Sequence, residues 1–258
     1  LNFDPLANTD DSTCCGASFP IPFGTQVGQD IDGEAAYDGE GHSVALSGDG
    51  NTLATGAFQN DGNGGNSGHV RLYDWNGNTW IQRGIDIDGE NSDEESGYSI
   101  SLSNDGNSIA IGATQNSDNG YYSGHVRIYD WIGSIWIQRG NDIDGESDYD
   151  NSGFSVSMSN NGNTVAIGAP FNDGNGSNSG HVRIYDWNGN TWIQRGIDID
   201  GENSEDKSGW SVVLSSDGNT VAIGAPYNHG NGTYSGHVRI YDWNGNTWIQ
   251  RGIDIDGE

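Results

Sequence analysis

The chain is a tandem repeat with a period of 56 residues, and no other feature constrains its fold as strongly. The letters Gly-His-Val-Arg begin at positions 68, 124, 180 and 236. The four units run over residues 35–90, 91–146, 147–202 and 203–258, and residues 24–34 copy the end of a unit. A repeat this regular mostly encodes architecture, so the recurrence of a residue within it is weak evidence for chemistry.

The last unit shows the pattern of hydrophobic runs and turns that each repeat follows. Residues 211–215 and 220–224 are short, β-branched runs separated by an Asp-Gly-Asn turn. Residues 237–243 alternate between apolar and polar side chains, and an Asn-Gly-Asn turn connects them to residues 247–254. No stretch shows the periodicity of a helix. The sequence therefore predicts four short antiparallel strands in each unit.

Four antiparallel strands in a unit of this length are typical of one blade of a β-propeller. A single blade cannot bury both of its faces, so neighbouring units must stack. We predict an all-β, β-propeller-like fold of four tandem four-stranded blades over residues 24–258, with residues 24–34 as one extra N-terminal strand. Residues 1–23 do not match the repeat and are predicted to form an Asp- and Cys-rich linker.

The repeats resemble FG-GAP repeats. The resemblance rests on Gly-Trp-Ser-Val at 209–212, on the Asp-Gly turn, and on Gly-Ala-Pro at 168–170 and 224–226. FG-GAP repeats build the β-propeller of integrin α subunits and of many secreted or surface-attached bacterial proteins, which implies an extracellular propeller. The family often has a DxDxDG calcium loop between the first two strands. The equivalent link at 48–51 is too short for that site, and the first two units lack the proline.

Residues 1–15 resemble the tail of a Cys-bounded, Asp-rich motif that is common in large secreted proteins of marine bacteria and algae. The earlier cysteine of that motif is missing here. Cys14 and Cys15 are adjacent, and a disulfide between neighbours is strained. We predict that these cysteines form disulfides with partners outside this stretch, with free thiols as the alternative.

The charge of the chain excludes one class of partner and favours a location. The formal net charge is −28, with 37 acidic and 9 basic residues, and nucleic-acid binding needs clustered Lys and Arg. No run approaches the ~18 apolar residues of a membrane helix, so we expect no membrane insertion. Such acidity suits extracellular or cell-surface surroundings with divalent cations. No catalytic constellation interrupts the repeat, so we expect a protein that is not an enzyme.

The motif Asp-x-Asp-Gly-Glu at the end of each unit is the strongest candidate for a ligand site. Carboxylates two residues apart beside a glycine turn can converge on Ca²⁺, which takes six to eight oxygen ligands. The predicted metal ligands are Asp86, Asp88, Glu90, Asp142, Asp144, Glu146, Asp198, Asp200 and Glu202. The alternative is a solvated turn whose Asp side chains cap backbone amides. The recurring histidines at 69, 125, 181 and 237 are expected to have a structural, hydrogen-bonding role.

Two further patterns point to the surface of the protein. Asn175 and Asn231 lie in Asn-Gly-Ser and Asn-Gly-Thr acceptor sequences and are predicted glycosylation sites, unless these are chance matches in Asn-rich loops. Ile132 and Ile135 replace the Asn and Thr of the other units at a hairpin tip. We predict that they form a subunit contact, together with Val27 in the extra strand, with tolerated sequence drift as the alternative.

The extra N-terminal strand favours a self-associating protein. The last unit already has its own fourth strand, so residues 24–34 are surplus. They can join protomers by strand addition, which we favour. The alternatives are that they cap the first blade of an open stack, or that further blades follow residue 258. We expect a secreted structural protein whose repeats assemble into a filament, appendage or matrix, and whose assembly is lost when residues 1–34 are deleted. The alternatives are a calcium-dependent adhesion or carbohydrate-binding propeller, with glycans or surface proteins as partners, and the non-catalytic domain of a larger secreted enzyme.

Overall fold

The computed structural model describes residues 26–258, and every regular element in this part of the chain is a strand. No helix long and apolar enough to cross a membrane occurs among these residues. The strands form four sheets in tandem, each within one unit of the repeat. The prediction of an all-β chain of four propeller-like blades is confirmed.

The strands of the four sheets have these bounds. The first sheet contains β1 (Ser43–Leu46), β2 (Thr52–Ala57), β3 (His69–Trp75), β4 (Trp80–Gln82) and β5 (Ile87–Asp88). The second contains β6 (Ser96–Leu102), β7 (Ser108–Ala113), β8 (His125–Ile132), β9 (Ile135–Gln138) and β10 (Ile143–Asp144). The third contains β11 (Ser155–Met158), β12 (Thr164–Ala169), β13 (His181–Trp187), β14 (Trp192–Gln194) and β15 (Ile199–Asp200). The fourth contains β16 (Ser211–Leu214), β17 (Thr220–Ala225), β18 (His237–Trp243), β19 (Trp248–Gln250) and β20 (Ile255–Asp256).

Each blade is an antiparallel meander whose predicted fourth strand is divided in two. In the fourth blade, the predicted strand over residues 247–254 is replaced by β19 and β20, and both of these strands pair with β18. Gly252 lies between them with a φ of +77°, a conformation that interrupts an extended strand. The predicted cross-strand pair of tryptophans is present, because Trp243 is opposite Trp248.

The core of the protein lies between blades and not within any one of them. At the boundary between the third and fourth blades, Val182 and Ile199 belong to the same buried cluster as Val212 and Leu214. Equivalent clusters fill the other two boundaries. Because each blade buries one face against the next, stability depends on contacts between consecutive repeats.

Residues 26–34, the described part of the predicted extra strand, form no hydrogen-bonded strand. In a complete unit, the last two residues of the motif's strand pair with the third strand of the same unit. Residues 26–34 have no preceding third strand to pair with among the described residues. They lie instead on the first blade, where Arg71 Nη2 donates a hydrogen bond to the carbonyl oxygen of Asp32 at 2.7 Å. Arg127 makes the same bond to the carbonyl oxygen of Asp88 at 3.0 Å. The segment therefore occupies the position that the end of one blade takes on the following blade.

Candidate functional sites at the repeat boundaries

The two Asp and the Glu of each motif predicted to bind calcium do not converge on one point. Among the described residues, no cluster brings the two Asp and the Glu of one motif together. The Glu instead reaches across the boundary, so that Glu90 Oε1 lies 3.2 Å from Arg127 Nη1 of the following unit. Glu146 and Glu202 make the same pairing with Arg183 and Arg239.

A histidine that we expected to be structural stands beside these acids at every boundary. His237 Nδ1 lies 3.7 Å from Asp254 Oδ2 of its own unit and 3.9 Å from Glu202 Oε2 of the preceding unit. These distances exceed those of hydrogen bonds. Three equivalent clusters are Glu34–His69–Asp86, Glu146–His181–Asp198 and Glu202–His237–Asp254. The cluster of the second unit is His125–Asp142–Asp144, and a fifth group, Glu90–Glu94–Asp118, contains no histidine.

The carboxylates of each cluster are held by neighbours outside it. Gln250 Nε2 donates a hydrogen bond to Asp254 Oδ1 at 2.6 Å, which leaves Oδ2 facing the imidazole. Arg239 Nη1 lies 3.8 Å from Glu202 Oε1, while Oε2 of the same Glu faces the imidazole. Each carboxylate therefore presents one oxygen atom to the histidine.

Burial lowers the pKa of two of these histidines and raises the pKa of nearby acids. Burial lowers the pKa of His181 to about 4, and the charge of Arg183 lowers it further while Asp198 opposes the shift. Burial also lowers the pKa of His125. The pKa of Asp200 is raised by burial and then by the charge of Asp198. A neutral imidazole beside ionised carboxylates is a suitable set of metal ligands.

Other acids in the same loops cap the backbone. Asp206 Oδ2 accepts hydrogen bonds from Asn228 Nδ2 at 3.0 Å and from the backbone N–H of Asn203 at 2.9 Å. Asp150 makes the equivalent bonds to Asn172 and Ser147. These buried carboxylates therefore cap turns.

The two predicted glycosylation sites are exposed, and both side chains also hold a loop. Asn175 Nδ2 donates to the carbonyl oxygen of Gly201 at 2.8 Å, and Asn231 Nδ2 donates to that of Gly257 at 2.9 Å. Asn63 and its counterpart in the second unit make the same bond without an acceptor sequence. The recurrence of this asparagine is therefore explained by the loop, and glycosylation stays a prediction.

The predicted subunit-contact residues are exposed in the structure. Ile132 and Ile135 face each other across the tip of the β8–β9 hairpin, and Val27 is exposed on the N-terminal segment. Their exposure leaves them free to contact a partner, and that contact stays a prediction. Cys14 and Cys15 lie outside the described residues, as does the predicted linker over residues 1–23.

Among residues 26–258, nothing covers the apolar leading face of the first blade. Val44 and Leu46 of β1 are 64% and 58% exposed, whereas their counterparts Val212 and Leu214 are buried against the third blade. Sequence reasoning missed this face. The sequence does contain a signal for this face, because the first and last units have the same apolar residues that the inner units bury.

The trailing face of the fourth blade is uncovered in the same way. Val238 of β18 is 36% exposed and Ile255 of β20 is 58% exposed. Their counterparts in the third blade, Val182 and Ile199, are buried. A shallow apolar cavity lined by Val238, Ile255 and Trp210 lies on this face. The described chain therefore has two unpartnered ends that match the two sides of an internal boundary.

Comparisons with known proteins agree with this architecture. Residues 143–185 match the family model of the FG-GAP repeat. A search of curated protein sequences found no significant match to the chain. Among solved structures, a Bacteroides uniformis protein provisionally assigned as a 6-phosphogluconolactonase is similar, with 12% identity and a TM-score of 0.56 over 84% of this chain and 55% of its own.

Two further solved structures are similar at the level of the fold. Hydrazine synthase from Kuenenia stuttgartiensis matches with 12% identity and a TM-score of 0.52, over 92% of this chain and 52% of its own. The β-propeller domain of the Trilobed protease from Pyrococcus furiosus matches with 12% identity and a TM-score of 0.49, over 81% of this chain and 56% of its own. The chain thus spans about half the length of the structures it matches. At this identity the likeness concerns the fold alone.

Proposed function

The chain is an FG-GAP β-propeller repeat protein, and from this premise we propose that it is a non-enzymatic extracellular scaffold that assembles with copies of itself into a filament, appendage or matrix. The observation that carries the proposal is the pair of uncovered apolar faces at the two ends of the blade stack. FG-GAP repeats occur in extracellular proteins, which supports the location. We propose no catalytic role, because the polar side chains that could act in one recur in every unit.

The two end faces are complementary because they copy the two sides of an internal boundary. Inside the chain, Val182 and Ile199 pack against Val212 and Leu214 of the next blade. The same positions on the open ends are Val238 and Ile255 on the trailing face, and Val44 and Leu46 on the leading face. Burial of apolar surface contributes about 25 cal/mol per Å², so stacking the trailing face of one copy on the leading face of a second copy is favourable. A head-to-tail contact of this kind repeats without limit unless its rotation closes a ring.

The N-terminal segment competes with this contact. Residues 28–34 and 252–258 differ at one position, where Gln29 corresponds to Ile253. Residues 28–34 already lie on the first blade, on the site that residues 252–258 of a second copy need. End-to-end assembly therefore requires the tail of one copy to displace the N-terminal segment of the next. The proposal therefore predicts the opposite of the expectation from the sequence that deletion of residues 1–34 abolishes assembly.

The test is sedimentation velocity and negative-stain electron microscopy of the 258-residue chain and of a variant that lacks residues 1–34. We expect the truncated chain to associate at lower concentration than the full chain and to form regular linear particles. Val238→Asp in the truncated chain is the specificity control, because it places a charge in the new boundary and should return the protein to a monomer. A folded truncated chain that stays monomeric contradicts the proposal. If truncation abolishes the association of the full chain, the N-terminal segment is itself the link.

One observation favours a second candidate function, which is carbohydrate binding by a cell-surface adhesion module. The rings of Tyr121 and Tyr122 stack with centroids 4.0 Å apart, and Tyr149 packs on Tyr121 at 5.3 Å. Tyr121 and Tyr149 are exposed. Exposed aromatic faces beside amide and carboxylate groups suit the apolar face and the hydroxyl groups of a sugar.

The matched control for this candidate lies in the chain itself. Tyr37 is the counterpart of Tyr149 in the first unit and has no aromatic partner in the described structure. Binding to a glycan array should be lost in Tyr149→Ala and retained in Tyr37→Ala. Equal loss in both variants, or no binding by the unmodified protein, contradicts a sugar site at this cluster.

A further inference from the structure

The clusters at the repeat boundaries have the composition of a transition-metal site. Each combines an imidazole nitrogen with two carboxylate oxygens, and the three candidate ligand atoms lie within 4.8 Å of one another. We propose that they bind divalent transition-metal ions, with Zn²⁺ as the reference ion. In three clusters the His and one Asp come from one repeat, while the Glu comes from the segment before it. The proposal is independent of the end-to-end assembly.

The observation that points to a ligand is a buried histidine nitrogen without a partner. The side chain of His237 is 1% exposed and that of His125 is 0% exposed. Nδ1 of each is buried and makes no hydrogen bond within the described structure, although each faces an Asp carboxylate. Leaving a buried polar atom unpaired is costly, so nearly all such atoms have a partner in native proteins. A metal ion accepts the lone pair of Nδ1 and removes this cost.

The spacing of the ligand atoms suits an ion better than a hydrogen bond or a water bridge. His237 Nδ1 lies 3.7 Å from Asp254 Oδ2 and 3.9 Å from Glu202 Oε2. A direct hydrogen bond would join these atoms at about 2.9 Å, and a bridging water would separate them by roughly 4.6 Å. Two ligands of a tetrahedral Zn²⁺ ion, each about 2.0–2.2 Å from it, lie roughly 3.3–3.6 Å apart. The observed distances need to shorten by only a few tenths of an ångström.

Residues outside the cluster already orient the carboxylates for an ion. The hydrogen bond from Gln250 fixes Asp254, and the guanidinium group of Arg239 holds the far oxygen of Glu202. The bond between Gln and Asp recurs in the other three units at 2.5 Å. Supporting hydrogen bonds of this kind set the direction of ligands in known metal sites. The Arg offsets only one of the two carboxylate charges, so a net negative charge remains to attract a divalent ion.

The nature of the ligands selects the class of ion. Ca²⁺ takes six to eight oxygen ligands and has no preference for nitrogen. One imidazole and two carboxylates with an open position suit Zn²⁺, Mn²⁺ or Co²⁺. The sequence predicts calcium at these acids. At this cluster the proposal is instead an ion that accepts a nitrogen ligand. Because ligands come from consecutive segments, a bound ion would link them.

The test uses the full chain after treatment with a chelator. Titration with Zn²⁺ in a calorimeter should show saturable binding that excess Ca²⁺ does not displace, and bound Zn²⁺ should raise the melting temperature. Co²⁺ in place of Zn²⁺ should give the visible absorption of a nitrogen- and oxygen-ligated ion. His237→Gln should remove one equivalent of binding, and the four-fold variant His69→Gln, His125→Gln, His181→Gln and His237→Gln should remove all of it.

Two controls keep the result interpretable. His42 lies outside these clusters, so His42→Gln should bind as many ions as the unmodified protein. Glu202→Gln changes an exposed ligand without touching the buried imidazole, so it should lower the affinity of one site in a folded protein. Absence of saturable Zn²⁺ binding overturns the proposal. Binding that survives in the four-fold variant overturns it as well, because surface carboxylates would then be the ligands.

Discussion

The carbonyl oxygen of Gly209 lies so close to Gly168 that a Cβ at position 168 would come within 2.0 Å of it. Gly168 belongs to the third blade and Gly209 to the fourth, so this contact sets how closely two blades approach. Ser155 Oγ donates a hydrogen bond to the same carbonyl oxygen at 2.8 Å. The contact recurs between Gly56 and Gly97 and between Gly112 and Gly153.

Gly168→Ala should destabilise the boundary between the third and fourth blades. The added methyl group meets a backbone oxygen that cannot rotate away, and overpacking of this kind costs about 1–3 kcal/mol. Urea denaturation followed by tryptophan fluorescence should show a lower midpoint than that of the unmodified chain. An unchanged midpoint would mean that the blades can separate without loss of stability.

Gly224→Ala is the matched variant at the open end of the stack. Gly224 is the counterpart of Gly168, and a Cβ at position 224 would come within 2.4 Å of the rotatable hydroxyl of Ser211. We expect little change in the stability of the monomer, because no following blade lies against Gly224 in the described structure. In the variant that lacks residues 1–34, the same substitution should weaken self-association. Association of undiminished strength would contradict stacking through this face.

Trp192→Phe should lower the free energy of unfolding more than Trp80→Phe. Trp192 Nε1 donates a hydrogen bond across a boundary to the carbonyl oxygen of Arg139 at 2.8 Å. Trp80 has the same place in the first blade, where the described structure contains no such bond. Loss of one hydrogen bond costs about 0.5–1.5 kcal/mol, and the smaller ring adds a packing cost in both variants. The measurement is chemical denaturation of the two variants in parallel, and equal losses would contradict the role of the bond.

The strands could be predicted because their signals are local. β-branched runs and Asn-Gly or Asp-Gly turns located the first three strands of the fourth blade to within about a residue. The fourth strand was predicted as continuous over residues 247–254 because a single glycine inside a strand pattern is ambiguous. Only the structure shows that Gly252 has a positive φ, with a strand on either side of it.

The site could be predicted only in part because its geometry depends on contacts between units. The repeat showed which acids recur, and it placed Asp198, Asp200 and Glu202 together by their spacing. The structure separates Glu202 from that pair and places it beside His237 of the next unit. That arrangement is set by the close packing of glycines between blades, such as Gly168 and Gly209, and no single repeat contains this information.

The turns after the first strand of the first and fourth blades should contribute stability that is lost in acid. The hydroxyl of Ser47 and the backbone and side chain of Asn51 hold the pKa of Asp49 at about 2, and Ser215 and Asn219 do the same for Asp217. The ordinary value is 3.8, so the unfolded chain binds more protons than the folded chain between these values. This contribution is therefore complete above about pH 4 and is lost as the pH falls towards 2.

The third blade provides a natural control for this pH dependence. Asn161 takes the place of the Asp, and its Oδ1 accepts hydrogen bonds from Ser159 Oγ at 2.9 Å and from the backbone N–H of Asn163 at 3.0 Å. The double variant Asp49→Asn and Asp217→Asn should keep its turns and lose less stability on acidification. Denaturation midpoints at neutral pH and at about pH 2.5 measure the difference. Equal acid sensitivity would show that these turns do not contribute.

Giving the hairpin of the second blade the Asn and Thr of the other blades should raise the free energy of unfolding and reduce self-association. In the first blade, Asn76 Oδ1 accepts the backbone N–H groups of Asn78 and Thr79, both at 2.9 Å, and so closes the turn. Ile132 has no oxygen for these bonds. Ile132→Asn with Ile135→Thr should therefore raise the free energy of unfolding by about 0.5–1.5 kcal/mol. It also removes two exposed apolar side chains, so sedimentation should show weaker association, and unchanged association would contradict a subunit contact at this tip.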